Sequence, residues 1–178
     1  MTLKTIEYKK VFDFPDRQLE VEIGVFYGKF LTARSNLYPS TNFIGIEIHP
    51  QKANQFILNN KDANNIKVLL TDARCIIQDQ MPDNYVKNYW MFNPEPFPDQ
   101  PELNLLDKDF ANGMIRSLCI GGEINIVTTE MWFSQETKEF FSSLKEVDPF
   151  IPDEKHKTVM ELCYSPNILN RMAFRKEG

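Results

Sequence analysis

The sequence predicts an α/β fold built on a mostly parallel sheet. Short apolar runs recur at 19–24, 43–48, 66–70, 86–92 and 123–129, with amphipathic stretches between them. The first two runs, LEVEIG and FIGIEI, each carry a carboxylate near their end, Glu22 and Glu47. A strand, a tight turn, a helix and a second strand fit between those two acids, which is the content of a βαβ unit. Such a unit brings the first turn and the end of the second strand to one edge of a parallel sheet. That edge is where open α/β sheets bind ligands, and the acid after the second strand suits the hydroxyls of a ribose.

Residues 1–18 read as a polar lead-in and 19–178 as a single domain. After the first strand, Gly28 to Leu37 forms a helix with Phe30, Leu31 and Ala33 on its apolar face, stopped by Tyr38-Pro39. The run 43–48 is nearly continuous in apolar residues, as a strand buried on both faces requires. Pro50 opens the next helix, with Ala53, Phe56 and Ile57 at helical spacing. The third strand, 66–70, runs into Thr71-Asp72-Ala73-Arg74, and residues 74–80 suit a short helix. Asp72 falls at a ligand-binding strand end, and also suits a helix N-cap.

The fourth strand, 86–92, leads into NPEPFPDQPELNL, a stretch with four prolines. Proline removes donors and fixes φ, so this is a stiff excursion carrying Glu95 at the same edge. A helix over 108–119 follows, capped near Asp107. Gly121-Gly122 reads as a turn before the fifth strand at 123–129. Ser134 is the expected cap of a helix to about 146, and 147–157 the expected loop. Residues 158–163 and 171–174 read as a closing antiparallel hairpin.

The chain has 178 residues, 42% of them hydrophobic, and a net charge of −5. Its mean hydropathy is −0.39. These are the values of one globular domain with a real core. The acidic balance gives no general attraction to phosphates, so nucleic-acid binding requires a local basic patch. Cys75, Cys119 and Cys163 lack metal-ligand spacing and read as buried thiols, and His49 and His156 have no metal-ligand company. No metal is expected. No apolar run approaches the roughly 20 residues that span a bilayer, and the first residues lack an apolar signal core. A cytoplasmic setting without membrane contact follows as the expectation.

Several segments together carry a resemblance. VEIGVFYGKFL at 21–31, NFIGIEIHP at 42–50, NIKVLLTDAR at 65–74, MPDNYVKNYWMFNPEPFP at 81–98, LCIGGEINIVTTE at 118–130 and TVME at 158–161 occur in this order. They resemble LEIGxGxGxxL, FIGIEIH, a third strand ending in DA, LPDxSxxxxxxxFPDPWP, LxxGGxxxxxTD and TxFE of the tRNA guanine-N7 methyltransferases. That family belongs to the class I S-adenosylmethionine-dependent methyltransferases.

The resemblance implies their Rossmann-like fold, with a seven-stranded, mostly parallel sheet, an antiparallel C-terminal hairpin and helices on both faces. It implies S-adenosylmethionine as cofactor, with Glu22 at its methionine part, Glu47 at the ribose and Asp72 at the adenine, and Gly24, Gly28, Ile48 and Ala73 beside them. Glu95 would stand near the target base, as the catalytic position, and Thr158 and Glu161 in the guanine pocket. The implied reaction is methyl transfer to guanine N7 of tRNA. N7 already carries a nucleophilic lone pair, so alignment with the sulfonium methyl is the main requirement.

The chain also departs from the pattern. Phe26 stands where the turn has its middle glycine, Glu95 replaces aspartate, Phe97 replaces tryptophan and Thr129 replaces the acid of TD. The basic run after PDPW is absent; residues 98–109 hold Asp99, Glu102, Asp107 and Asp109 against Lys108. A tRNA reading therefore needs a patch built from Lys9, Lys10, Arg17, Lys29 and Arg34, or a protein partner that supplies one. Two alternatives stand beside it. One is a pseudoenzyme that keeps the fold as a binding or regulatory protein, with Phe26 in the pocket. The other is a methyltransferase acting on a small molecule or a protein.

Overall fold

The computed structural model describes residues 18–94, 97–100, 103–153, 157–158 and 162–178. Seven strands form one sheet in the order β3-β2-β1-β4-β5-β7-β6. The strands are β1 (Leu19–Ile23), β2 (Asn42–Glu47), β3 (Ile66–Leu70), β4 (Val86–Phe92), β5 (Leu118–Thr128), β6 (Lys145–Val147) and β7 (Asn170–Arg175). The helices are α1 (Lys29–Leu37), α2 (Pro50–Asn59), α3 (Ala73–Ile77), α4 (Lys108–Ser117) and α5 (Met131–Phe140). β1 to β5 pair in parallel, and β7 runs antiparallel to both β5 and β6. The carboxyl ends of β1, β2 and β4 therefore meet at one edge, as the parallel arrangement requires.

Alternation along the strands divides the core. Leu19, Val21, Ile23, Ile44, Ile46, Tyr89, Met91, Ile124 and Ile126 face one side and pack with Ile76, Ile77, Phe110, Met114 and Phe133 of α3, α4 and α5. On the other side Phe43 packs with Val25, Leu31 and Phe56, under α1 and α2. Glu20 and Glu22, one step out of phase with the apolar set, also face that second side. They are 5% and 3% exposed, so each needs a partner there.

Glu20 has its partners within the fold. Its Oε2 accepts from Arg34 Nε at 2.7 Å and Trp90 Nε1 at 2.8 Å. Its Oε1 accepts from Arg34 Nη2 at 2.7 Å and Asn88 Nδ2 at 3.0 Å. The guanidinium lies 4.5 Å from the Trp90 ring centroid and 4.8 Å from that of Tyr38. Arg34 is thus locked inside α1's packing face and forms no part of a surface patch for phosphates; its charge is already used. Lys9, Lys10 and Arg17 lie outside the described residues.

Several expected elements are corrected. Gly121-Gly122 is not a turn: β5 begins at Leu118, and the excess residues form a bulge between the Val86–Leu118 and Asn88–Glu123 pairs. Gly121 takes φ +73° and its carbonyl accepts from Lys87 Nζ at 2.7 Å. α5 begins at Met131, and the Ser134 hydroxyl donates back to the Met131 carbonyl inside the helix instead of capping it. β7 closes against β5 and β6. The strand expected over 158–163 is absent at its described residues: Thr158 is irregular and Leu162-Cys163 are helical. Cys75 and Cys163 are exposed rather than buried. Among the described residues no helix is long and apolar enough to cross a membrane, and no cluster of metal-ligating side chains occurs.

Candidate functional site at the carboxyl edge of the sheet

A cavity of about 340 Å³ opens where β1, β2 and β4 end. Its wall includes Glu22, Gly24, Phe26, Glu47, Ile48 and Lys52 on the β1–β2 side, and Met91, Phe92, Asn93, Pro94, Leu105 and Thr158 on the β4 side. Its volume is in the range of sites that hold small molecules.

The β1–α1 turn shapes one end. Gly24 N–H donates to the Ile46 carbonyl at 2.8 Å and Gly28 N–H to that of Val25 at 2.7 Å. A Cβ on Gly24 would meet nothing within 4 Å, so the glycine leaves that wall open. Gly28 serves packing: it takes φ +71°, and a Cβ there would fall 2.0 Å from the Phe56 ring of α2. Phe26, which stands where the resembled turn has its middle glycine, has its ring beside Lys52, whose Nζ lies 4.2 Å from the ring centroid.

Two carboxylates lie inside. Glu47 is 5% exposed; its Oε2 accepts from Phe26 N–H and its Oε1 from His49 N–H, both at 2.9 Å. Two backbone donors fix the plane of the group, and each oxygen keeps a second lone pair. Glu22 sits at the amino terminus of α1, where the Leu31 N–H reaches it. Its Oε2 is buried and has no hydrogen-bond partner. Burial pushes the Glu22 carboxyl well above the usual range; the Leu31 N–H opposes this and the charge of Glu47 adds to it. The cationic side chains on the wall are Lys29, exposed, and Lys52, half-buried.

At the β4 end, Asn93 takes φ +50°. Its Oδ1 accepts from Thr129 N–H and from the Thr129 hydroxyl, each at 3.2 Å. This orients the Asn93 amide beside the cavity. On the wall, the Phe30 ring packs 4.6 Å from Phe92 and 5.1 Å from Trp90, which gives this part of the lining an apolar backing.

Of the residues expected from sequence, Glu22, Gly24, Glu47, Ile48 and Thr158 share this cavity. Gly28 faces Phe56, and Ala73 is buried in the opposite core. Asp72 caps α3, its Oδ1 accepting from Arg74 N–H at 2.9 Å, and stands off the wall. Glu95 and Glu161 lie outside the described residues. Phe30, Lys52, Asn93 and Leu105 were not singled out, since their membership of the wall comes from packing between distant segments. Only the strand-end position of Asn93, just before a proline, was a local signal.

Known proteins resemble this chain in sequence and in fold. A tRNA (guanine-N(7)-)-methyltransferase of Aquifex aeolicus is 32% identical over 163 residues, covering 88% of this chain and 53% of that protein. One of Wolinella succinogenes is 28% identical over 132 residues, covering 73% and 34%. The chain thus spans about a third to a half of the length of these curated relatives. The solved aminoglycoside resistance methyltransferase NpmB1 shares the fold with a TM-score of 0.63 at 16% identity, over 90% of this chain and 87% of its own. Residues 16–166 match the model of a family described as "Putative methyltransferase". With most of its length matched and the sheet order, the strand-end acids and the cavity in place, the chain belongs to this methyltransferase family.

Proposed function

We propose that the chain binds S-adenosylmethionine in the cavity and directs its methyl group to N7 of a guanine in tRNA. The observation that carries the reading is the orphaned Glu22 Oε2 at the cavity wall. A buried carboxylate oxygen without a partner is costly unless a ligand supplies the donor. The ammonium of the cofactor's amino-acid end is such a donor. Glu47, held by two backbone N–H groups, keeps lone pairs for the two ribose hydroxyls. These residues fit the group. When bound, it supplies an electrophilic methyl on a sulfonium.

The chain's own contribution is then alignment. The lone pair of guanine N7 needs no base to release it, so proximity and orientation dominate. Asn93, Pro94 and Thr158 form the end of the cavity left for the acceptor. The names of the relatives favour tRNA as the source of that base. The acidic stretch after β4, with Asp99, Asp107 and Asp109 against Lys108, favours a second reading, an acceptor that is not a polyanion.

Incubation of the protein with tRNA transcripts and isotopically labelled S-adenosylmethionine is expected to yield 7-methylguanosine by mass spectrometry of the digested RNA. Retained cofactor binding with no labelled tRNA nucleoside would remove the tRNA reading and favour the second one. Glu47→Ala is expected to weaken S-adenosylhomocysteine binding about tenfold in calorimetry, from two lost hydroxyl bonds. A change below twofold would take Glu47 out of the ribose site.

A further inference from the structure

The β1–α1 turn bends through three residues of positive φ: Gly24 at 74°, Phe26 at 54° and Gly28 at 71°. Glycine enters that region freely, while a phenylalanine is strained there. The fold recovers little of this through the side chain, because the Phe26 ring is 37% exposed and belongs to neither apolar core. The ring stands on the cavity wall instead, with Lys52 Nζ 4.2 Å from its centroid and the Tyr27 ring 4.3 Å away and steeply inclined. Its own N–H is bonded to Glu47 Oε2 at 2.9 Å, which ties the position of the ring to that carboxylate. A strained residue held in place beside a binding group points to a role in binding.

We propose that Phe26 is the stacking face for the adenosine half of the cofactor, and that Lys52 holds the ring beside Glu47. The ring and the unpaired carboxylate oxygen sort the two halves of the ligand. Lys52 lies in the first turn of α2, directly after β2, so the Glu47 end carries a half-buried cation and a flat aromatic surface. A neutral heteroaromatic base suits that surface. Cations stand at both ends of the wall, Lys29 at the start of α1 and Lys52 on α2, so the unpaired Glu22 oxygen, not repulsion, places the ammonium. The orphaned Glu22 Oε2 receives the ammonium at the α1 end. The Phe26 ring and Glu22 thus give the ligand one orientation. The proposal rests on the cofactor part of the reading above and is independent of the acceptor, so the tRNA assignment can fail without touching it.

Two ligands separate the halves. S-adenosylhomocysteine carries both, and 5′-methylthioadenosine lacks the amino-acid half. Calorimetry with each is run on the wild type, Phe26→Gly, Phe26→Trp and Glu22→Gln, with thermal unfolding alongside. Phe26→Gly is expected to keep or raise the Tm, because strain is released, and to weaken both ligands by about tenfold or more through lost stacking. Phe26→Trp is expected to keep both affinities, and Glu22→Gln to weaken S-adenosylhomocysteine alone. An unchanged affinity of Phe26→Gly for 5′-methylthioadenosine would overturn the proposal. So would tighter binding of either ligand, which would make the ring an obstruction. A wild type that binds neither ligand would remove the cofactor reading and this proposal together.

Discussion

Arg34→Ala is expected to cost the fold about 3–5 kcal/mol, the range for removing one partner of a buried ion pair. The side chains of Arg34 and Glu20 are 8% and 7% exposed, so solvent screens the pair little. Removing the guanidinium leaves the Glu20 carboxylate buried with two neutral donors, Trp90 Nε1 and Asn88 Nδ2. It also empties the space among Trp90, Tyr38 and Phe150, whose rings line the guanidinium. Urea unfolding of the variant measures the loss, and a change below about 1 kcal/mol would mean that the pair is hydrated. The paired replacement Glu20→Gln with Arg34→Met is expected to recover much of the loss, because it removes both charges rather than stranding one.

Glu22→Gln is expected to weaken S-adenosylhomocysteine binding by about 10–100-fold, the worth of one charge-assisted hydrogen bond. It is also expected to remove a pH dependence. Burial holds the Glu22 carboxyl well above its usual range in the folded protein. Between the ordinary carboxylate range and that raised value the native state carries the proton and the unfolded state does not. Stability therefore falls as pH rises through this window, and the fall disappears in Glu22→Gln. The ligand works in the opposite sense. An ammonium at Oε2 favours the ionised acid, so binding expels the proton and affinity rises with pH across the same window. Calorimetry in buffers of different ionisation enthalpy counts that proton. Equal heats in all buffers would mean that Glu22 is already ionised before the ligand arrives.

Glu22 and Glu47 were legible as acids near the ends of the first two apolar runs, whereas Glu20, which shares Glu22's face of β1, was not singled out. Glu20 and Glu22 share one face of a central strand, and two buried acids there need two cationic partners. Arg34 is one, supplied within the fold; Glu22 Oε2 has no partner there. Arg34 itself was misread, because a helical arginine looks solvated until its packing partner is known. The apolar runs placed β1 to β4 because both faces of those strands are covered. β6 was not expected: Lys145 and Glu146 were read as the end of a helix and Val147 as the start of a loop, since the three-residue segment carries no apolar alternation. Gly121-Gly122 looked like a turn because the same backbone freedom serves a bulge. Asp72 had two readings from sequence, and its bond to Arg74 N–H favours the cap. Lys52 was invisible as a cavity residue, since the Phe26 ring it packs on lies tens of residues away in the chain.

The sheet order has a consequence for synthesis. β7 is made after β6 yet lies between it and β5, so β6 cannot join the sheet until residues 170–175 have left the ribosome. Until then the outer edge of β5, with the apolar run INIV, is an unpaired strand of the kind that recruits wrong partners. A ribosome halted before Asn170 would release a chain with most of its core assembled and one sticky border, a substrate for chaperones more than for RNA.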